Sequence, residues 1–139
     1  MASIRFYAQG TSFKLPNPRK TSKWLGKIAL SENHPVESLT YIFCTDSYLL
    51  SLNKKFLKHS TYTDILSFDF SEGGQLNGEI YISIPRVREN SKIFAQPFDR
   101  ELKRVLAHGL LHFLGYKDKT SQQKAQMRIK EEACLSLWK

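Results

Sequence analysis

Hydrophobic and polar positions alternate from Ser3 to Ala8, with Ile4, Phe6 and Ala8 set against Arg5 and Tyr7; this two-residue period predicts a first, half-buried strand. The period then changes. From Lys20 to Ser31, Trp24, Leu25, Ile28 and Ala29 recur at helical spacing while Lys20, Lys23 and Lys27 fall on another face, which predicts an amphipathic helix with a basic side. Ser38–Thr45, "SLTYIFCT", is β-branched and aromatic and reads as a strand; Thr45 or Asp46 can then cap a helix carrying Tyr48, Leu49, Leu52 and Phe56. "TDILSFDF" (Thr63–Phe70) and "GEIYISI" (Gly78–Ile84) read as two further strands. Gly73, Gly74, Asn77 and Gly78 supply turn chemistry between them, so the two should pair antiparallel. Pro85 opens a short helix, Asp99 or a neighbour a longer one reaching Leu114, and Ser121 a last one through Leu137. Strands early and helices late predict an α+β domain, a mixed sheet of about four strands packed with helices.

At 139 residues the chain fits a single domain, 1–139, with room for a substantial core. Lys and Arg number 21 against 13 Asp and Glu, a formal charge of +8, which attracts polyanions and makes nucleic acid the leading partner class. Cys44 and Cys134 form no Cys-x-x-Cys and make a poor disulfide framework, so buried free thiols are expected. The start, "MASIRFYAQGTSF", lacks the apolar core of a signal peptide, and no segment approaches the ~20 apolar residues of a membrane span; the expectation is a cytoplasmic protein with no membrane partner.

"HGLLHFLGYKD", His108 to Asp118, adds candidate chemistry to the predicted long helix. Leu102, Leu106, Leu110 and Phe113 form its deepest apolar arc, and His108 and His112, one turn apart, lie together beside that arc. Neutral imidazole is the commonest ligand of zinc and similar ions, but two ligands hold a metal poorly. Gly115 can end the helix in a left-handed conformation and fold the chain back, so that Asp118 faces both histidines. The pattern His-x-x-x-His-x-x-Gly-x-x-Asp has metzincin spacing, yet Gly109 stands where those proteases place a glutamate base, which makes peptidase chemistry by that route improbable. A polar cluster at the edge of a helical core is the alternative to a metal site.

The same segment resembles the His-Gly-x-Leu-His-Leu-x-Gly-Tyr-Asp-His signature of the YbeY family, metal-dependent endoribonucleases of ribosomal RNA maturation. "TDILSFDF" is similar to that family's Thr-Asp-Val-Leu-Ser-Phe-Pro-Phe segment, "GEIYIS" to its Gly-Asp-Ile-x-Ile-Ser segment, and "LNKKFLKHSTYTD" to its Leu-Asn lead-in. Together these run in order from about Ser38 to Asp118. The resemblance implies a zinc ion on His108, His112 and Asp118, with Asp118 in place of the family's third histidine. It also implies cleavage of single-stranded RNA near the 3′ end of small-subunit ribosomal RNA, ribosome quality control, and the ribosome, a ribosomal protein or a GTPase as partners. A carboxylate oxygen is an acceptable zinc donor, but it lowers the site's net charge by one. The family arginine after the aromatic residue of the lead-in falls on Leu57, so Lys58, His59 or another basic residue would have to hold phosphate.

Three protein ligands leave an open position on the ion, lower the pKa of its bound water towards about 7 and neutralise phosphoryl charge. Lys20, Lys23, Lys27, Arg86 and Arg88 are the surface candidates for the RNA backbone. Asp64 and Ser67 belong either to the chemistry or to the sheet edge. Two rival readings stay open: a metal-dependent hydrolase of another substrate, and a ribosome-associated RNA-binding protein with a structural metal closed by four protein ligands.

Overall fold

The computed structural model describes residues 3–58 and 62–139. Four strands, β1 (Ser3–Gln9), β2 (Val36–Cys44), β3 (Ile65–Asp69) and β4 (Leu76–Ser83), form one mixed sheet in the order β1-β2-β4-β3. β1 runs parallel to β2 and β2 to β4, while β3 closes the edge antiparallel to β4 through the hairpin that the glycines predict. The central strands carry the more continuous burial. In β2, Tyr41 through Cys44 are all buried, as expected of a parallel strand covered on both faces, whereas the edge strand β1 is largely exposed.

Five helices surround the sheet: α1 (Pro18–Ser31), α2 (Asp46–Leu52), α3 (Ile84–Ile93), α4 (Phe98–Phe113) and α5 (Ser121–Ser136). The main core joins Leu39, Tyr41, Phe43, Ile80 and Ile82 of one sheet face to apolar residues of α1, α3 and α4, with Met127 and Cys134 of α5 packed in behind. A smaller cluster of Cys44, Leu49 and Leu66 fills the opposite face beneath α2. Both thiols are free and buried, and burial pushes Cys44 up to about 12 and Cys134 up to about 11.

The differences from the expected boundaries have local causes. α1 starts at Pro18, where the fixed φ of proline suits the first helical position, and Asn17 precedes it in the left-handed region. Thr45 caps α2 by accepting from the Tyr48 N–H at 3.1 Å. Asp46, the other candidate cap, instead accepts from Ser83 Oγ at 3.0 Å and Arg86 Nη2 at 2.7 Å. The helix continues as a π-helical turn, Asn53–Leu57, so Phe56 leaves the apolar face and lies exposed, edge-on to the ring of Phe68 at 5.6 Å. Thr120 with Gln123 forms a capping box that opens α5. Among the described residues, no helix is long and apolar enough to cross a membrane.

α4 is the element that places the site. Leu102, Val105, Leu106, Leu110 and Leu111 are buried to 2% exposure or less. Tyr41 of β2 donates its hydroxyl to the Leu106 carbonyl at 2.8 Å, fixing the helix along the sheet. Two glycines let it approach closely: a Cβ on Gly109 would stand 2.9 Å from Ile65 Cδ1, and one on Gly78 would stand 2.5 Å from the Phe113 ring and 2.5 Å from the Phe68 carbonyl.

Candidate metal centre

With the apolar arc of α4 committed to the sheet, His108 and His112 are left half-buried at its margin, their rings 4.6 Å apart and nearly perpendicular. Their Nε2 atoms are 3.0 Å from each other. The chain then turns as its sequence predicts. Gly115 takes φ +100°, its N–H donates to the His112 carbonyl at 3.1 Å, and the Tyr116 N–H donates to the Leu111 carbonyl at 3.0 Å, the paired bonds of a Schellman motif. The reversal brings Asp118 Oδ2 to 3.2 Å from His108 Nε2 and 3.4 Å from His112 Nε2.

One donor atom from each of the three residues lies within 4.8 Å of the others. Ligands placed tetrahedrally at 2.0–2.1 Å from a zinc ion stand about 3.4 Å apart. The three side chains therefore fit a single divalent ion with little rearrangement. Among the described residues this donor group holds three side chains and no fourth.

Behind the donors lies a set of charged residues that the sequence reading does not contain. Glu131 of α5, buried, faces His108 with Oε2 2.5 Å from Nδ1. A carboxylate there draws the imidazole proton to Nδ1 and leaves the Nε2 lone pair directed at the centre, the arrangement that commonly supports a metal-bound histidine. Arg104 holds Glu131 from the other side at 3.1 Å and grips buried Glu101 with two bonds of 2.6 and 3.0 Å. The hydrogen bond to Glu101, with the charges of both glutamates, raises the Arg104 guanidinium well above the ordinary arginine range. A signal for Glu131 exists in the sequence: Met127, Glu131, Cys134 and Leu135 recur at helical spacing, and a carboxylate within an apolar stripe requires a buried partner.

Among the described residues, the remaining candidates add no donor to this centre. Lys20, Lys23 and Lys27 are exposed on α1, and Lys20 lies 4.6 Å over the Trp138 ring beside a separate cavity. Arg86 is engaged by Asp46 and lies 5.1 Å over the Tyr62 ring; the Asp46 hydrogen bond raises its guanidinium further. Arg88 sits 4.9 Å over Phe98. Lys58 is exposed beside exposed Leu57, in a left-handed conformation, and His59 lies outside the described residues. Ser67 is exposed. Asp64 is partly buried at the start of β3, where it accepts from Asn90 Nδ2 at 3.3 Å; burial raises its carboxyl, opposed by Arg104 and His108. Gly109 points at Ile65 and Ile80, so a protease glutamate at this position would be driven into the sheet rather than the site.

A family model described as Endoribonuclease YbeY matches residues 10–139. A protein of Cytophaga hutchinsonii with that name is 48% identical over 138 residues, 99% of this chain and 96% of its own. One of Flavobacterium psychrophilum, of the same name, is 47% identical over 126 residues, 91% of this chain and 90% of its own. The solution structure of a Thermotoga maritima protein superposes with a TM-score of 0.67 at 27% identity, covering 97% of this chain and 91% of that one. Agreement of this extent, along nearly the whole length of both partners, means that the chain belongs to the YbeY family.

Proposed function

We propose that the protein is a zinc-dependent endoribonuclease that cuts single-stranded ribosomal RNA in small-subunit maturation, in the cytoplasm and in company with the ribosome. The observation that carries this reading is the three-donor set of His108, His112 and Asp118, closed on one side by Glu131 and without a fourth side chain among the described residues. A structural site would use four protein ligands, whereas a catalytic one keeps a position for water or substrate. The shared name of the relatives, Endoribonuclease YbeY, supports RNA as the substrate, and the formal charge of +8 supports a polyanion.

A divalent ion held by these residues supplies Lewis acidity to a phosphoryl oxygen and acidifies water at neutral pH. The chain's own part is orientation. Glu131 holds the proton on His108 Nδ1, Arg104 keeps Glu131 in place, and the Gly115 turn aims Asp118. Exposed lysines, Lys58 among them, draw in the RNA backbone by charge.

The test pairs metal analysis of the purified protein with cleavage of a ribosomal RNA precursor. One equivalent of zinc and a discrete cut are expected. A folded His112→Ala variant should lose cleavage while retaining affinity for the RNA fragment, because the ion stabilises charge developing in the reaction and distant cations supply binding. If that variant cuts as fast as the parent, the activity lies elsewhere and an RNA-binding role takes its place.

A further inference from the structure

A cleft of about 490 Å³ opens between α4 and α5 beside the donor set, and His108 and Asp118 form one end of it. Its volume falls within the range of small-ligand sites. Three features describe what it would receive. Its floor is apolar, with Met127 and Leu135 both buried. Its far wall carries Phe94, which is 54% exposed although it ends a helix next to the core. The turn that presents this ring is closed by bonds from Phe94 N–H to the Asn90 carbonyl at 2.9 Å and from Gln96 N–H to the Ser91 carbonyl at 2.9 Å, with Ala95 between them at φ +52°. A non-glycine residue in that region is uncommon, and here it accompanies an aromatic side chain held out to solvent.

The cations of the cleft divide into two groups. Arg104 is committed to Glu101 and Glu131, and Arg100 to Glu132 at 2.7 Å. Lys124 and Arg128, both exposed on α5, have no ion-pair partner among the described residues. An aromatic face, an apolar floor and two uncommitted cations beside the donor set match what a short single-stranded RNA segment presents, bases on one side and phosphates on the other. Bases stack on aromatic rings without regard to sequence, and phosphates pair with lysine and arginine.

We infer that this cleft is a nucleotide subsite, seating a base of the bound strand against Phe94, at the end away from the donors, and backbone phosphate against Lys124 and Arg128. This rests on the endoribonuclease reading for the identity of the occupant. The subsite draws its cations from α5, a helix that carries none of the RNA-backbone candidates that the sequence pattern offers.

The experiment uses the metal-loaded full chain and a short single-stranded ribosomal RNA fragment. Affinity is read by anisotropy on fragments whose bridging oxygen at the cut is replaced by methylene, with one nucleotide at a time made abasic; cleavage of the unmodified fragment is read separately. At one position of the fragment, loss of the base should weaken parental binding about five- to a hundredfold. Phe94→Ala should weaken binding of the intact fragment by the same factor, lose nothing more at that abasic position, and keep its metal. Lys124→Gln and Arg128→Gln should each lower the log-log salt slope by about 0.7. If Phe94→Ala binds like the parent, or if its loss and the abasic loss simply multiply, the subsite is overturned while parental cleavage leaves the nuclease reading standing. Coupled losses without any cleavage keep the subsite and overturn the nuclease. An absence of RNA binding overturns both.

Discussion

Asp118 stands where the family signature carries a histidine, and its reach matters more than its type. Its Oδ2 sits 3.2 and 3.4 Å from the two imidazole Nε2 atoms, positions that an imidazole nitrogen or a carboxylate oxygen can each occupy as a zinc donor. Asp118→His should therefore keep metal through dialysis, while Asp118→Ala, with two ligands left, should lose it. Metal stoichiometry of the two variants is the measurement, and equal retention would remove Asp118 from the ligand set. This triad was legible in the sequence because all its determinants are local: a four-residue helical spacing, a glycine able to adopt φ > 0, and a short reversal. For Glu131 the stripe on α5 signals burial but not the partner, because it approaches His108 from another helix, 23 residues further along the chain.

Between elements, the decisive quantity is how closely α4 lies on the sheet. Gly109→Ala would press a methyl group against Ile65 Cδ1 at 2.9 Å and against Ile80 Cδ1 and Cγ2 at 3.1 Å; this crowding outweighs the ~1 kcal/mol that alanine gains over glycine inside a helix, for a net cost of about 1–2 kcal/mol. Gly78→Ala meets the rigid Phe68 carbonyl as well as the Phe113 ring and should cost more. Urea unfolding of both variants checks the order; a Gly109→Ala protein as stable as the parent would mean that α4 stands further from β4 than described. Strand and helix types followed from hydrophobic period. The parallel pairing of β1 with β2 and of β2 with β4 did not, since these neighbours are joined by long crossovers, through α1 and through α2 and β3, and not by a tight turn whose residues announce it. Nor did the π-helical turn at Asn53–Leu57, which takes Phe56 out of the face its spacing predicts.

Across the whole molecule, Glu32 gathers three parts of the chain. From the end of α1 it accepts from Tyr116 Oη at 2.7 Å, in the turn that leads to Asp118, and from Lys130 Nζ of α5 at 3.1 Å. The Tyr116 hydrogen bond first, and then Lys130, lower its carboxyl below the ordinary range despite partial burial. A lowered carboxyl contributes stability above its unfolded pKa and loses it as pH falls through the lower folded value. Glu32→Gln should thus be less stable than the parent above pH about 5, with the difference vanishing in more acid solution. Denaturant titrations from acid to neutral pH provide the check, and a gap independent of pH would show that the Glu32 charge is not involved. α5 is tied to the start of the chain a second time, where Trp24 Nε1 donates to the Cys134 carbonyl at 2.7 Å across 110 residues. The two ties grip α5 at Lys130 and at Cys134, on either side of Glu131, the residue that faces His108. The orientation of that imidazole is therefore anchored at a distance, through α1, and a change at Trp24 or Glu32 reaches the centre by shifting α5 without touching a donor.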